Sequence, residues 1–437
     1  MQKIFTYLAN NVWKVIVIYV IVQLLLVVFG AVPFYSDSLY YYHLAQSSIS
    51  NHSFYPAPIH LYEDYITAPL YINILIAALT IYNSQITIGI LNIILNCLQL
   101  FFIFKLTENF FGKHAARISV LIYIFYLSTL GMVLMNLTEF IFGVLILASI
   151  YFFYKDDFIS YFSSGIIAAA SVGVRPIGWA LVLSYLIVLG IRSVKDKANY
   201  KKIFLVVIGC AVFIIPFGLF TRSYFNRFIF TNTNGPVNIL IGANNDATGA
   251  YNAKVFEKGK AGFIDNPASK TYIEKEAYWK VQAVKWIEAH PLKWISLFPL
   301  KIIHMFAWDD YSISTLFHMG DWNLYKILKT ILVQKNFSLN IEKPFYSVIT
   351  YFVVQIVHHI YYFSMLFIFL VTVVQKKISI LFNKDYLPVT LFVMFGLMMN
   401  LVTFGDARFK YPYMLFIIIA IAPAVLNFIK QSKLFSK

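Results

Sequence analysis

Residues 12–44 read VWKVIVIYVIVQLLLVVFGAVPFYSDSLYYYHL, and the change of character inside this stretch decides the fold. Up to Val32 almost every residue is apolar, with Lys3 and Lys14 at the start and no small-residue cleavage site afterwards. A run of this length matches the ~20 residues that cross a bilayer as a helix. It reads as a retained signal-anchor helix rather than a cleaved leader. Then Phe34-Tyr35-Ser36-Asp37-Ser38 sets a carboxylate at the membrane surface, ahead of an aromatic, helix-forming segment. Ionisable groups in or beside a bilayer are costly and are retained for a partner or a task.

The pattern repeats along the chain. Of its residues 60% are hydrophobic and 13% charged, with a mean hydropathy of +0.71, against about 45–50% and about 25% in soluble domains. Apolar runs cover 12–32, 85–105, 115–135, 137–154, 159–174, 177–191, 203–221, 346–374, 387–403 and 411–429. This excludes a soluble enzyme, a disordered chain and a water-soluble solenoid. The net charge of +15 is the cation excess expected of cytoplasmic loops. No basic stripe on a soluble domain points to nucleic acid. Cys97 and Cys210 lie inside apolar runs, so no disulfide or thiol chemistry is expected. The fold expected is an all-α polytopic membrane protein with about ten transmembrane helices, plus juxtamembrane and interfacial helices on the outer face.

Two apolar stretches, 67–82 and 293–307, are ambiguous, and charge decides between them. If both crossed, Lys105, Lys113 and Arg117 would lie outside, as would the cluster Arg192, Lys195, Lys197, Lys201 and Lys202, against the positive-inside rule. If both stay at the outer interface, those clusters become cytoplasmic, together with Lys155, Lys376, Lys377, Lys384, Lys430, Lys433, Lys437 and both termini. On this reading residues 1–221 form an N-terminal transmembrane module with an outer loop at 33–84. Residues 222–345 form an outer-face loop with interfacial helices at 270–307, and residues 346–437 supply the C-terminal transmembrane helices. The location expected is a bacterial inner membrane.

That topology gathers polar residues on one side. Asp37 follows the first span, Glu63 and Asp64 lie in the same outer loop, and Glu139 opens the fourth span. Arg175 and Arg408 sit at outer turns. Each has a plainer reading. Asp37 and Glu139 suit helix starts, and the arginines can snorkel from span ends. Asp406 and Lys410 read as a solvated rim. His43 and the pair His358-His359 read as interface or packing histidines, since no spacing matches a metal motif. The sequons at Asn51, Asn136 and Asn336 require a glycosylating compartment. Asn244-Asn245-Asp246 and Gly249-Ala250-Tyr251 read as turns. Together, carboxylates and arginines at one surface suit a substrate with a lipid tail and a phosphate head. Arginines clamp phosphate oxygens, and a carboxylate takes a proton from an acceptor hydroxyl.

At these residues the chain resembles the GT-C superfamily of membrane glycosyltransferases, in particular the bacterial protein O-mannosyltransferase and aminoarabinose transferase group (family 39). Asp37 with Ser38–Ala45 resembles the acidic residue and helical stretch that follow the family's first span. Ala68-Pro69-Leu70-Tyr71 resembles its Pro-Pro-Leu-Tyr segment, and Phe110-Phe111-Gly112-Lys113 its Leu-Phe-Gly pattern. Glu139 resembles its acidic helix start, and Arg408-Phe409-Lys410-Tyr411-Pro412 its Arg-Tyr-x-x-Pro element. Ile66-Thr67 stand where the aminoarabinose pattern has Glu-Lys, so only Glu63 or Asp64 could substitute there.

The resemblance implies inverting transfer from a polyprenyl-phosphate sugar to an envelope glycan, lipid or protein at the outer face. Asp37 would be the general base, Glu139 a second active-site carboxylate and Arg408 a ligand of the donor phosphate. Arg175 joins Arg408 from topology alone. Glu63, Asp64, Tyr40 and Lys410 are further candidates for substrate or metal contact. No cofactor is assigned, and the need for a divalent metal stays open. The partners expected are the lipid-linked donor, the acceptor and membrane lipids. A flippase or transporter and a polysaccharide polymerase are the alternative readings. Paired halves and mid-membrane charges would mark a transporter.

Overall fold

The structure is a computed structural model that describes residues 7–30, 32–319, 324–335, 344–375, 383 and 385–431. Lys3, Lys376, Lys377, Lys384, Lys433, Lys437 and the Asn336 sequon lie outside the described residues. Among the described residues the chain is helical, and an isolated bridge joins Ala250 to Gly405. The first half contains α1 Val12–Phe29, α2 Ser36–Ser50, α3 Pro69–Ile81, α4 Gln85–Phe111, α5 Lys113–Phe125, α6 Ser128–Val133, α7 Glu139–Phe153, α8 Phe158–Val172, α9 Gly178–Lys195 and α10 Asn199–Phe225. The second half contains α11 Gly235–Ile241, α12 Tyr272–Ala289, α13 Pro291–Ser296, α14 Phe298–Phe306, α15 Tyr311–Leu316, α16 Leu324–Leu328, α17 Phe345–Gln375, α18 Leu387–Val402 and α19 Tyr411–Gln431.

Among the described residues six helices are long and apolar enough to cross a membrane: α1, α4, α9, α10, α17 and the segment Ala407–Gln431 that contains α19. The helices α3, α7, α8 and α18 are shorter and apolar. Close packing comes from small residues. A Cβ at Gly165 of α8 would sit 2.3 Å from the Val206 carbonyl oxygen of α10, and one at Gly209 would sit 2.3 Å from that of Phe162. Glycine at such contacts lets backbones approach where lipid supplies no hydrophobic drive between helices.

The bundle has two distinct ends. Helices α1 and α4 run antiparallel: Gly89 faces Val27, Asn96 reaches Tyr19 at 3.1 Å, and Phe104 meets Trp13 at 5.9 Å. The end holding the close of α4 is basic. There Lys202 bonds Asp156 at 2.6 Å, Arg192 lies 5.8 Å from the Phe153 ring, and Phe110 packs on Tyr154 and Tyr386. The other end collects Asp37, Glu139, Arg175 and Arg408.

Both ambiguous stretches begin and finish at that second end. Leu70 of α3 donates to the Gly173 carbonyl at 3.0 Å, and beyond its last turn Asn83 accepts from Gln46 of α2. In α14, Lys301 donates to the Leu401 carbonyl at 2.8 Å, and shortly afterwards Asp309 meets Lys410 at 3.1 Å.

One apolar run folds otherwise than expected. Residues 115–135 are not a single span: α5 stops at Phe125, and α6 and an irregular segment lead to Glu139. At 1.5 Å per residue a helix of this size reaches only about 20 Å, short of the ~30 Å hydrocarbon layer. Non-helical backbone at such depth persists only where protein satisfies it. Asn92 of α4 does this, and Asn96 and Gln99 follow it at helical spacing. Asn92 Nδ2 donates to the Val133 and Met135 carbonyls at 3.1 and 2.7 Å. Asn96 bonds Tyr19 and Gln23, and Gln99 donates to the Phe140 carbonyl at 2.8 Å. All three are fully buried. Asn92→Leu orphans two buried carbonyls. It should lower unfolding stability in detergent by about 1–3 kcal/mol, read from melting fluorescence, whereas a leucine at exposed Ile90 should change nothing.

Candidate active site

Glu139 is the first residue of α7, and its side chain is only 1% exposed. Its Oε1 accepts from Arg175 Nη2 at 2.9 Å and from Arg408 Nε at 3.0 Å. Arg408 continues through Nη1 to Asp37 Oδ2 at 2.7 Å, and its guanidinium lies 5.5 Å from the Tyr311 ring centroid. Arg175 Nε donates to Thr138 Oγ1 at 2.8 Å. The contacts therefore run Asp37–Arg408–Glu139–Arg175 without interruption, joining residues from four well separated parts of the sequence.

Local structure explains how each side chain is presented. Tyr35, not Asp37, is the cap residue of α2, so the Asp37 carboxylate in the first turn is left for Arg408. Asp406 accepts from the Arg408 amide at 2.8 Å and starts the short 3-10 turn Ala407–Lys410 that aims the guanidinium. The two arginines turn inward rather than snorkel: their side chains are 16% and 13% exposed. Asp37, at 41%, is the accessible member.

Other candidates fall around this centre. Tyr40 donates to Glu63 at 3.3 Å, and burial pushes the Glu63 carboxyl up. Asp64 pairs with buried Lys275 at 2.9 Å, tying the first outer loop to α12. His43 packs beside Tyr42. The segment Asn244-Asn245-Asp246 is a turn in which Asn244 Oδ1 accepts from the Asp246 amide. Asn136 is buried, donates to the Ser38 carbonyl and accepts from Tyr71, so this sequon anchors α2 and α3 in the fold. Among the described residues no group of three or more His, Cys, Asp and Glu is placed to hold a metal ion.

Lys410 corrects the sequence reading. It is not on a solvated rim: its side chain is 1% exposed, and it bonds Trp308 O, Ala407 O and Asp309 Oδ1 at 2.6, 2.9 and 3.1 Å. Asp309 was not picked out from the sequence. Its Oδ2 accepts from His358 Nε2 and Ser128 Oγ, both at 2.8 Å. Burial would raise the Asp309 carboxyl, but Lys410 and His358 outweigh it and hold it well below the usual range. The Trp308-Asp309-Asp310 turn thus knots α17, α6 and the Arg408 turn together. The signal available in the sequence was an Asp-Asp pair next to a Trp in a basic, aromatic segment.

Fold and site together define a polytopic helical membrane protein built round a buried arginine–carboxylate chain. No family model matches it, and no curated protein does. Two solved structures share its fold: the apo oligosaccharyltransferase of Archaeoglobus fulgidus, and the archaeal oligosaccharyltransferase AglB of that organism in complex with an inhibitory peptide and a dolichol-phosphate. Both have a TM-score of 0.51, at 15% and 14% identity, over 97% of this chain. The chain covers 51% of each of those chains, about half their length. The fold is accordingly GT-C-like.

Asp310, buried beside this knot, has a carboxyl pushed by burial from the ordinary 3.8 to about 6. The fold therefore favours its protonated form. That stabilisation is complete below about pH 4 and is lost as pH rises through about 6, amounting to at most about 3 kcal/mol. Asp310→Asn should flatten the pH dependence of the melting temperature between pH 4 and about 7. An unchanged slope in the variant would rule Asp310 out as its source.

Proposed function

We propose that the chain is a membrane glycosyltransferase that moves a sugar from a polyprenyl-phosphate donor to an envelope glycan, lipid or protein, with inversion at the anomeric carbon. The observation that carries the reading is the uninterrupted contact chain Asp37–Arg408–Glu139–Arg175 at one end of a membrane bundle. It is supported by the fold shared with an oligosaccharyltransferase solved with a dolichol-phosphate, and by the ordered motifs that resemble family 39.

In this reading the site at rest is neutralised by its own carboxylates. Arg408 has two N–H donors committed to Asp37 and Glu139. An incoming donor phosphate competes with Asp37 for that guanidinium. That frees the Asp37 carboxylate just when it must take the acceptor's proton. The acceptor oxygen then bonds to the anomeric carbon as the carbon–oxygen bond to phosphate breaks. The proton goes to Asp37 and the electron pair to the phosphate. Arg408 and Arg175 stabilise the charge on the departing phosphate, while buried Glu139 holds both guanidiniums in register. The basic opposite end, with Lys155, Arg192 and Lys202, marks the cytoplasmic side by the positive-inside rule. The site then faces outward from a bacterial inner membrane, with both termini inside and residues 222–345 as its outer covering.

Asp37→Asn keeps the shape and removes the base, so sugar transfer in membranes should fall by about 10²–10⁴-fold with donor binding retained. Transfer at the wild-type rate would overturn the role. Arg408→Lys should raise the KM for the donor more than that for the acceptor, because a point charge replaces a planar fork. For sidedness, a cysteine placed at Asp37 should react with an impermeant thiol reagent from outside, and one at Lys195 should not.

A further inference from the structure

Among the described residues three lysines are buried: Lys275, Lys301 and Lys410. Lys275 pairs with Asp64 and Lys410 with Asp309, at 2.9 and 3.1 Å. Lys301 of α14 has no carboxylate partner among the described residues. Its Nζ donates instead to the Leu401 carbonyl at 2.8 Å and lies 5.6 and 5.3 Å from the ring centroids of Trp294 and Phe298. Leu401 stands in the last turn of α18, whose carbonyls have no partner within the helix. An ammonium there completes the helix end and meets the negative pole of its dipole.

The main chain at Lys301 backs the turn that follows α18. A Cβ at Gly405 would overlap the Lys301 carbonyl oxygen, and one at Gly249, where φ is +87°, would lie 3.3 Å from the Lys301 amide nitrogen. A Cβ at Gly242 would overlap the Thr403 carbonyl and lie 3.2 Å from Lys301 Nζ. The Gly405 amide donates to the Gly249 carbonyl at 2.7 Å, and Asp406 then accepts from the Arg408 amide at 2.8 Å. Lys301 therefore holds Leu401 by its side chain and Gly405 by its backbone, immediately ahead of the turn that carries Arg408.

We infer that Lys301 is a positioning residue for the donor phosphate: by capping α18 its ammonium fixes the turn that aims Arg408. The inference rests on the reading of Arg408 as the phosphate ligand. Burial lowers the Lys301 ammonium from the ordinary 10.5 to about 8. The clamp is charged at neutral pH and loses its charge as pH rises through about 8. The charged groups on the elements packed against it are engaged elsewhere. Asp246 turns to Lys260, Asp406 to the Arg408 amide, Arg408 to Asp37 and Glu139, and Lys293 of α13 to the Trp286 ring. His304, three residues on in α14, is the nearest titratable group in the sequence.

The test is binding of farnesyl phosphate to the full chain in detergent, by calorimetry from pH 7 to about 9.5, with amide hydrogen exchange over residues 401–410. Wild-type affinity should fall by about tenfold as pH rises through about 8. Lys301→Arg keeps its charge over this range, so it should bind like the wild type at pH 7 and show no fall. Lys301→Met, unbranched and uncharged, should bind about tenfold more weakly at every pH, and its residues 401–410 should exchange faster at pH 7. Lys285→Met, at an exposed position on α12, should behave like the wild type. A flat wild-type profile would overturn the inference, and so would a fall that persists in Lys301→Met. A lysine that only fills space would give one of those two results. Arg408→Ala separates the two readings. Lost binding there, with Lys301→Met binding and exchanging like the wild type, would overturn the role of Lys301 alone. Wild-type binding by Arg408→Ala would overturn the donor site and the inference with it.

Discussion

The Arg408 guanidinium, held between Asp37 and Glu139 at 2.7 and 3.0 Å, is the interaction on which the polar end of this molecule depends. A buried cation is tolerated only when paired and fully hydrogen-bonded. Arg408 is paired through Nη1 and Nε with carboxylates from the first outer loop and from α7. Its own turn is set by Asp406 and by Lys410, whose ammonium is caught in the Asp309–His358 knot. Moving any one of these elements would leave a charge without its partner. The charges therefore serve as mutual registers for helices that are otherwise greasy and interchangeable.

A second constraint is the backbone between α5 and α7. An irregular segment inside a membrane bundle has carbonyls that lipid cannot satisfy. The Asn92 amide takes up that role for Val133 and Met135, while Gln99, further along α4, bonds the Phe140 carbonyl in the first turn of α7. The reward is geometric. Because the chain turns within the bundle, α7 begins with Glu139 buried against both arginines instead of projecting it into solvent.

Much of this was legible beforehand. The apolar runs announced a helical membrane bundle, because twenty apolar residues have few other stable states in water or lipid. The placement of basic residues separated one end from the other, and with it brought Asp37, Glu139, Arg175 and Arg408 to the same surface. Their mutual contact could not be read in advance. Each one alone was equally compatible with a helix cap or a snorkelling end. Lys410 was misread because a lysine beside an arginine and an aspartate looks solvated, and its buried partner Asp309 comes from a different segment. The break in 115–135 was also hidden: Tyr126, Ser128 and Thr129 are unremarkable in an apolar run, and the Asn92 amide that accommodates the break lies on another helix.

The sequence by itself determined that the chain is a bundle of membrane helices with a basic end and a polar end. Hydropathy and loop charge act locally, on each segment in its surroundings, and so can be read segment by segment. Only the tertiary structure decided which carboxylate meets which arginine and which lysine is buried. Those outcomes depend on contacts between residues hundreds of positions apart. They are settled by the need to leave no buried charge or carbonyl unpaired, a condition on the whole assembly that no single segment can satisfy alone.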